Sequence, residues 1–122
     1  MFMSQSSPKT ETLEILRSVS LERGFHFFTE KGNTGITAIS LSDFIAKLET
    51  IDVNSVFFHY PRGDFQKWID DTLGDKDLAN RMCFIQTGLS GENLRKHLLR
   101  IIQKRITELK EQQNNRQMND TV

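Results

Sequence analysis

The sequence predicts a mainly α-helical fold, a compact array of five or six helices with a small β-hairpin near its N-terminal end. Helix-capping residues recur through the middle of the chain, an apolar stripe with helical spacing follows them, and one aromatic segment has the composition of a strand. The 122 residues are the length of one typical domain. We therefore expect a single helical domain at residues 10–111, between a disordered N-terminus at 1–9 and a disordered polar tail at 112–122.

The predicted domain begins with a helix. Leu13, Leu16 and Val19 recur at helical spacing within residues 10–23. Gly24 follows them, and glycine is common just after the last turn of a helix. We expect the helix to end there.

The hairpin is predicted next. Residues 25–29 are aromatic and β-prone, residues 36–39 form a second short extended segment, and the Glu-Lys-Gly-Asn-Thr-Gly between them is typical of a turn. Alternation along the first strand places Phe25 and Phe27 on one face and the intervening aromatic side chains on the other. We expect this strand to be covered on both faces, whereas an exposed aromatic edge would favour a ligand site or a base-stacking site.

Four residues that are suited to cap helices predict a succession of short helices through the middle of the chain. They are Ser40, Asp52, Asp64 and Asp75. Pro61 and Gly74 are typical of residues that follow the end of a helix. The faces predicted to point inward are Leu41, Phe44, Ile45 and Leu48; Val53, Val56, Phe57 and Tyr60; Phe65, Trp68, Ile69, Thr72 and Leu73; and Leu78, Ala79 and Met82.

The last predicted helix is the longest. Ser90 can cap it, and it runs to about Gln112. Its apolar spacing of three and four residues predicts a stripe that docks on the domain, and the same spacing resembles a short coiled-coil seam through which two copies could associate. Leu98 and Ile102 are the possible interaction residues of that seam. The stripe consists of Leu94, Leu98, Ile101, Ile102, Ile106 and Leu109, widened by Leu99.

The formal net charge of zero is unevenly distributed along the chain. Residues 92–122 carry seven Lys or Arg against four Asp or Glu, so the C-terminal helix is basic. Arg100, Lys104 and Arg105 are therefore candidate contacts in an alternative function, the binding of nucleic acid. The helix pair within residues 64–77 does not fit DNA reading, because it has five aspartates against two lysines. Since a basic helix face is ordinarily just solvated, nucleic acid is disfavoured as a partner.

The segment His-Tyr-Pro-Arg-Gly-Asp at 59–64 combines an imidazole, a guanidinium and a carboxylate. His59 and Asp64 could form half of a nucleophilic triad, but the nearby hydroxyl side chains lie in no recognisable nucleophile motif. We therefore assign no catalytic residue, and an enzyme centred on these two residues is the second alternative. In the structural interpretation Asp64 caps its helix, His59 bonds a backbone carbonyl and Arg62 pairs with a carboxylate. His59 and Arg62, which have no capping duty, are possible interaction residues.

Other kinds of site find no support in the sequence. The three histidines are more than thirty residues apart, so no metal site is predicted. The scattered glycines match neither a phosphate loop nor a dinucleotide-binding fingerprint, so no cofactor is predicted. Cys83, the single cysteine, is expected to be a small buried hydrophobe in a reducing cytosol. The sequence shows neither a secretory signal nor an apolar segment long enough to span a bilayer. We therefore predict a cytoplasmic protein without membrane contact.

Three segments of the sequence carry a resemblance to a known family. They are F-H-F-F-T-E-K-G-N-T-G, S-L-S-D-F-I-A-K-L and S-V-F-F-H-Y-P-R-G-D-F-Q-K-W-I-D-D-T-L-G-D-K-D-L-A. The most specific pattern in them is His, two residues, Arg-Gly-Asp-Phe, two residues, Trp-Ile, then Leu-Gly-Asp and Leu-Ala. Over residues 24–106 the chain resembles a family of small archaeal and bacterial proteins of unknown function. The resemblance implies one self-contained domain and brings no reaction, cofactor or partner.

The sequence as a whole favours a non-enzymatic interaction or regulatory module that acts through protein-protein contacts. The contact would use the long C-terminal helix or the surface around residues 59–64, with another protein or a second copy as the partner. Nucleic-acid binding and an unrecognised enzyme remain the two alternatives.

Overall fold

The computed structural model describes residues 8–85 and 88–120, and in them six α-helices accompany one antiparallel hairpin. The predicted fold, mainly α with a small hairpin on its N-terminal side, is confirmed. A 3-10 turn, Leu21–Arg23, leads into the hairpin, and the fourth helix runs on as a π-helix, Ile69–Leu73. The elements are α1 (Pro8–Leu16), β1 (Phe25–Thr29), β2 (Gly32–Ala38), α2 (Leu41–Thr50), α3 (Val53–His59), α4 (Asp64–Trp68), α5 (Lys76–Met82) and α6 (Gly91–Asp120).

The long helix α6 organises the core, because it packs against α1, α2, α3 and α5. Its stripe residues Leu98 and Ile102 are 0% exposed. Such a stripe stabilises a helix mainly when other elements cover it, since apolar burial contributes roughly 25 cal/mol for each Å² removed from water. Here the protein's own helices provide the cover.

Side-chain caps at four helix starts are confirmed. Ser40 accepts a hydrogen bond from the Asp43 N–H at 3.0 Å, and the hydroxyl of Ser90 accepts one from the Asn93 N–H at 3.2 Å. Asp52 and Asp75 cap α3 and α5, accepting from the N–H groups two and three residues ahead. Each cap satisfies a backbone donor that the helix itself leaves unpaired.

The predicted cap at Asp64 is wrong. Gly63 occupies the N-cap position of α4 with a φ of +73°, a left-handed conformation that favours glycine. Asp64 is then the first residue of the helix, and its carboxylate turns away from the helix end towards His59 and Arg62.

The predicted inward face of α3 is rotated. Val56 is buried as expected, but Phe57 is 45% exposed, and Ser55 and His59 are buried instead. The reason is that α3 packs on β1 as well as on α6, and its polar side chains turn towards the strand.

The hairpin differs from its prediction in the length of its second strand. β2 begins at Gly32, before the predicted start at Ile36, and its ladder with β1 carries a bulge in which residues 34–36 stand opposite the single residue Phe27. Gly35 has a φ of +82° within this bulge. The hydroxyl of Thr34 donates to the Phe27 carbonyl at 2.7 Å, so the bulge leaves that carbonyl satisfied.

Alternation along β1 is confirmed, but the strand is covered on one face only. Phe25 and Phe27 are buried against α2 and α4, whereas His26 is exposed and Phe28 is 36% exposed. The expectation of cover on both faces is therefore wrong, and an aromatic edge lies at the surface.

Two further expectations are corrected. The first helix ends at Leu16 rather than near Gly24, because the following chain turns to the hairpin, where the Val19 N–H donates to the Ile39 carbonyl at 2.8 Å. The inward face of α1 also differs from the prediction: Leu13 is 48% exposed, whereas Thr12 and Ile15 are buried. Cys83 is exposed rather than buried, since it lies at the C-terminal end of α5, with its thiol directed to the Ala79 carbonyl.

The ends of the chain are described in part. Of the predicted disordered N-terminus only Pro8 and Lys9 are described, and they begin α1, while residues 1–7 lie outside the described part. At the other end α6 continues past the predicted end near Gln112 to Asp120. The limits of the domain at 10 and 111 stay a prediction.

Candidate interaction site

The centre of the predicted site is His59, which connects helix α3 to strand β1. Nε2 of its ring accepts a hydrogen bond from the Phe28 N–H at 2.8 Å. One helical turn earlier the Ser55 hydroxyl donates to the Phe28 carbonyl at 2.7 Å. These two buried polar side chains of α3 therefore satisfy both backbone groups of Phe28 on the edge of β1 that β2 does not cover.

These contacts fix the protonation of His59. Because Nε2 accepts, the proton of the neutral ring is on Nδ1, which donates to Asp64 Oδ2 at 2.9 Å. Burial lowers the pKa of His59 and outweighs the opposing effect of the Asp64 carboxylate. Burial also acts to raise the pKa of Asp64, but the hydrogen bonds from His59 and Arg62 lower it overall.

This geometry has a consequence for catalysis. A general base needs a free lone pair within reach of a substrate, and the Nε2 lone pair of His59 is already used by the Phe28 N–H. The hydroxyl of Ser55, one turn earlier on α3, is committed to the Phe28 carbonyl. A reaction centred on His59 and Asp64 would require these bonds to open.

Arg62 is fixed at one end and free at the other. Its Nε donates to Asp64 Oδ2 at 2.9 Å, and its guanidinium carbon lies 4.7 Å from the centre of the Phe58 ring. The expected pairing of Arg62 with a carboxylate is thus observed. The side chain is 61% exposed, and its two Nη groups have no hydrogen-bond partner among the described residues.

A surface groove of about 430 Å³ lies between Arg62 and the uncovered edge of β1. Phe28 and Phe58 form aromatic walls, with nearly parallel rings whose centroids are 6.5 Å apart. The groove thus offers aromatic surface and the guanidinium of Arg62 in one place. We call it the aromatic groove; its lining is Gly24, Phe25, His26, Phe28, Phe58, His59, Arg62 and Asp64.

The sequence pointed to His59 and Arg62 but not to Phe58. Phe58 falls outside the inward face predicted for α3, and only its position four residues before Arg62 could have indicated a pair across the end of the helix. Phe28 had a clearer signal, because strand alternation separates it from the buried Phe27.

The predicted interaction residues of α6 do not lie together on one surface. Leu98 and Ile102 are in the core, so a second chain could contact them only if α6 left its own domain. Arg105 is largely buried, and its Nε donates to Asp75 Oδ2 at 2.7 Å.

Arg100 and Lys104 are exposed on the outer face of α6. Lys96 lies four residues before Arg100, so the three cations form one ridge along the helix. None of the three has an ion-pair partner among the described residues. Arg100 and Lys104 are the part of the predicted basic site that a partner could reach, and Lys96 extends the exposed ridge beyond the prediction.

Two other features are absent from the described part of the chain. No group of three or more His, Cys, Asp or Glu side chains lies close enough together there to hold a metal ion. None of the helices there has the length and apolar character needed to cross a membrane.

Comparison with known proteins gives one match. The model of a Family of unknown function (DUF5752) matches residues 60–121, just over half of the chain, and the match starts directly after His59. Neither the search of curated proteins nor the search of solved structures found a match. The predicted resemblance to a family of unknown function is confirmed, with a match that covers residues 60–121 rather than the predicted 24–106, and the chain belongs to the Family of unknown function (DUF5752).

Proposed function

We propose that this protein is a non-enzymatic interaction or regulatory module that binds another protein through the aromatic groove. The observation that carries the proposal is the combination of two partly exposed phenylalanines, Phe28 and Phe58, with the unused donors of Arg62. Aromatic and arginine side chains are enriched at protein interfaces and at their energetic hot spots.

The His59–Asp64 pair supports this function by positioning rather than by chemistry. His59 donates to the Asp64 carboxylate, which in turn accepts from the Nε of Arg62. The Arg62 guanidinium then lies over the Phe58 ring. A groove whose walls are held before binding loses little side-chain entropy when a partner arrives. We propose the cytoplasm as the place of action, because the exposed thiol of Cys83 suits a reducing compartment.

The test is to compare the proteins recovered from native cells with tagged wild type, Phe58→Ala and Phe57→Ala. Phe57 is the matched control, because it is exposed on the same helix and lines only the depression next to the hairpin turn, whereas Phe58 borders both that depression and the aromatic groove. We expect Phe58→Ala to lower the affinity for a specific partner by about thirtyfold, the effect of losing a hot spot of roughly 2 kcal/mol.

Folding is controlled by requiring cooperative thermal unfolding of each variant. Phe57→Ala should retain the partner. Equal recovery with both variants would contradict the groove as the contact surface, and so would the absence of any specific partner of the wild type.

Nucleic-acid binding is the second candidate, supported by the ridge of Lys96, Arg100 and Lys104. If it occurs, fluorescence anisotropy with short RNA and duplex DNA should show affinity that falls steeply with salt. Changing all three residues to Gln should reduce the slope of log K against log salt by about 2 to 3, near 0.7 to 0.9 for each phosphate that is no longer neutralised. Lys67→Gln, an exposed change on α4, is the control. No binding at low salt would exclude this candidate.

A further inference from the structure

Within residues 8–85 and 88–120, β2 is the only strand that pairs with β1, so the other edge of β1 has no strand beside it. The backbone groups of Phe28 point to this edge, where His59 and Ser55 bind them. Backbone groups of alternate residues point to the same edge of a strand, so the N–H and C=O of His26 share it. Among the described residues no side chain and no segment outside the hairpin bonds those two groups.

The open stretch of this edge is short and bounded on both sides. Beyond His26 the Arg23 carbonyl accepts from the Trp68 indole N–H at 2.8 Å, and on the other side lies Phe28 with its satisfied groups. The aromatic groove runs beside the gap, since His26, Phe28 and Phe58 all line it. An available backbone donor and acceptor therefore adjoin an aromatic wall and a guanidinium.

We propose that the aromatic groove binds an extended segment of a partner protein, which adds to β1 as a third strand at His26 and places a carboxylate on Arg62. This inference rests on the proposed function and specifies the partner's chemistry. The segment would form two main-chain hydrogen bonds with His26, and its apolar side chain would pack on Phe28 and Phe58. One carboxylate would take the two Nη donors of Arg62 in a bidentate pair.

An extended peptide fits the edge better than a second copy of this chain. Helix α3 already covers β1 at Phe28, so two β1 edges brought together would place two α3 helices on the same strip of surface. A partner helix would offer no main-chain donors to His26, because its own backbone groups are used internally. A flexible segment can enter beside α3 and pair with the open residue alone.

The probe is a displayed library of random peptides, selected on the wild-type protein and counter-selected on Phe58→Ala. We expect the selected peptides to share an apolar residue and an Asp or Glu at a fixed spacing. A synthetic peptide from the selection should bind Arg62→Gln about tenfold more weakly than wild type, the loss of roughly 1.4 kcal/mol expected for a charge-assisted contact. Lys67→Gln, exposed on the adjacent helix, should bind normally.

Strand pairing has its own readout. Methylating the peptide amides one at a time should abolish binding only at the amide that donates to the His26 carbonyl. The His26 N–H, followed by hydrogen exchange, should become protected when peptide is added.

The outcomes separate this inference from the proposed function. Suppose that the peptides need Phe58 but tolerate methylation at every amide and leave the hydrogen exchange of His26 unchanged. That outcome would overturn strand addition but would still support binding in the aromatic groove. A selection that yields no Phe58-dependent peptides would also overturn strand addition. The proposed function would then be tested separately, by the recovery of proteins from native cells. A wild-type dimer with protected β1 amides would show that a second copy takes the edge, and would also overturn this inference.

Discussion

At the scale of single residues, His59 shows how one side chain can serve structure at both of its nitrogens. It is 4% exposed, accepts from the Phe28 N–H and donates to Asp64. A second proton on the ring would have to sit on Nε2, facing another N–H donor. The neutral ring is therefore the form that the fold stabilises.

His59 should make stability depend on pH near neutrality. Its pKa is below the ordinary 6.5 in the folded state, so the unfolded chain binds more protons as pH falls through that value. The free energy of unfolding should hence be highest above pH 7 and decrease on acidification, by up to ~1.4 kcal/mol per pH unit. Urea unfolding between about pH 5 and pH 7.5 measures this slope.

His59→Gln should flatten that slope, although it will also lower stability at neutral pH by losing the two hydrogen bonds. Phe57→Ala, an exposed change on the same helix, should leave the slope in place. Asp64 affects stability at lower pH than His59 does. Because its carboxyl pKa is lowered in the folded state, it adds stability that is lost only as the pH falls below the ordinary pKa of 3.8. An unchanged slope in His59→Gln would show that the ring is not held neutral by the fold.

At the scale of elements, α6 carries cations that do different things on its two sides. On the inner side Arg105 and Asp75 form a bidentate pair, and the Arg95 guanidinium donates to the Leu48 carbonyl at 2.8 Å. A carboxylate that also caps α5 thus ties that helix to α6. On the outer side, the ridge that includes Arg100 makes no such bonds with the described residues. Removing one partner of a buried pair leaves an uncompensated charge, so this pair opposes separation of α5 from α6.

The elements also show what the sequence could predict and why it failed elsewhere. Caps such as Ser40 and Asp75 were predictable, because a cap and its N–H are only three residues apart. The rotation of α3 was not, since it depends on bonds from His59 and Ser55 to Phe28, 31 and 27 residues away. Asp64 was predicted as a cap from its position alone, but Gly63 takes the N-cap position and the Asp64 carboxylate accepts from His59, only five residues before it.

At the scale of the whole molecule, four of the other helices pack on α6, which closes the core between them. Its stripe meets four helices, and the stripe residues Leu94, Leu98, Ile102, Ile106 and Leu109 are all buried within this one chain. The sequence could not show whether that stripe packs against helices of the same chain or pairs with a second copy, because both arrangements use the same apolar spacing. Burial inside the monomer leaves little of it for a seam.

Leu98→Asp should therefore unfold the protein rather than release a folded monomer. A carboxylate at a position that is 0% exposed would lie in an apolar core without a partner, at a cost of several kcal/mol against a typical total stability of about 5 to 15. Ile102→Asp should behave alike, and Leu98→Ala should cost about 2 to 5 kcal/mol. Circular dichroism with thermal unfolding measures all three.

Arg100→Asp is the matched control, because it puts the same charge on the outer face of the same helix and should change stability by no more than about 0.5 kcal/mol. Sedimentation of each folded variant adds the association state. A Leu98→Asp protein that is folded and monomeric, beside a dimeric wild type, would reverse the conclusion. It would mean that the stripe of α6 faces a second chain in solution and that the core can close without it.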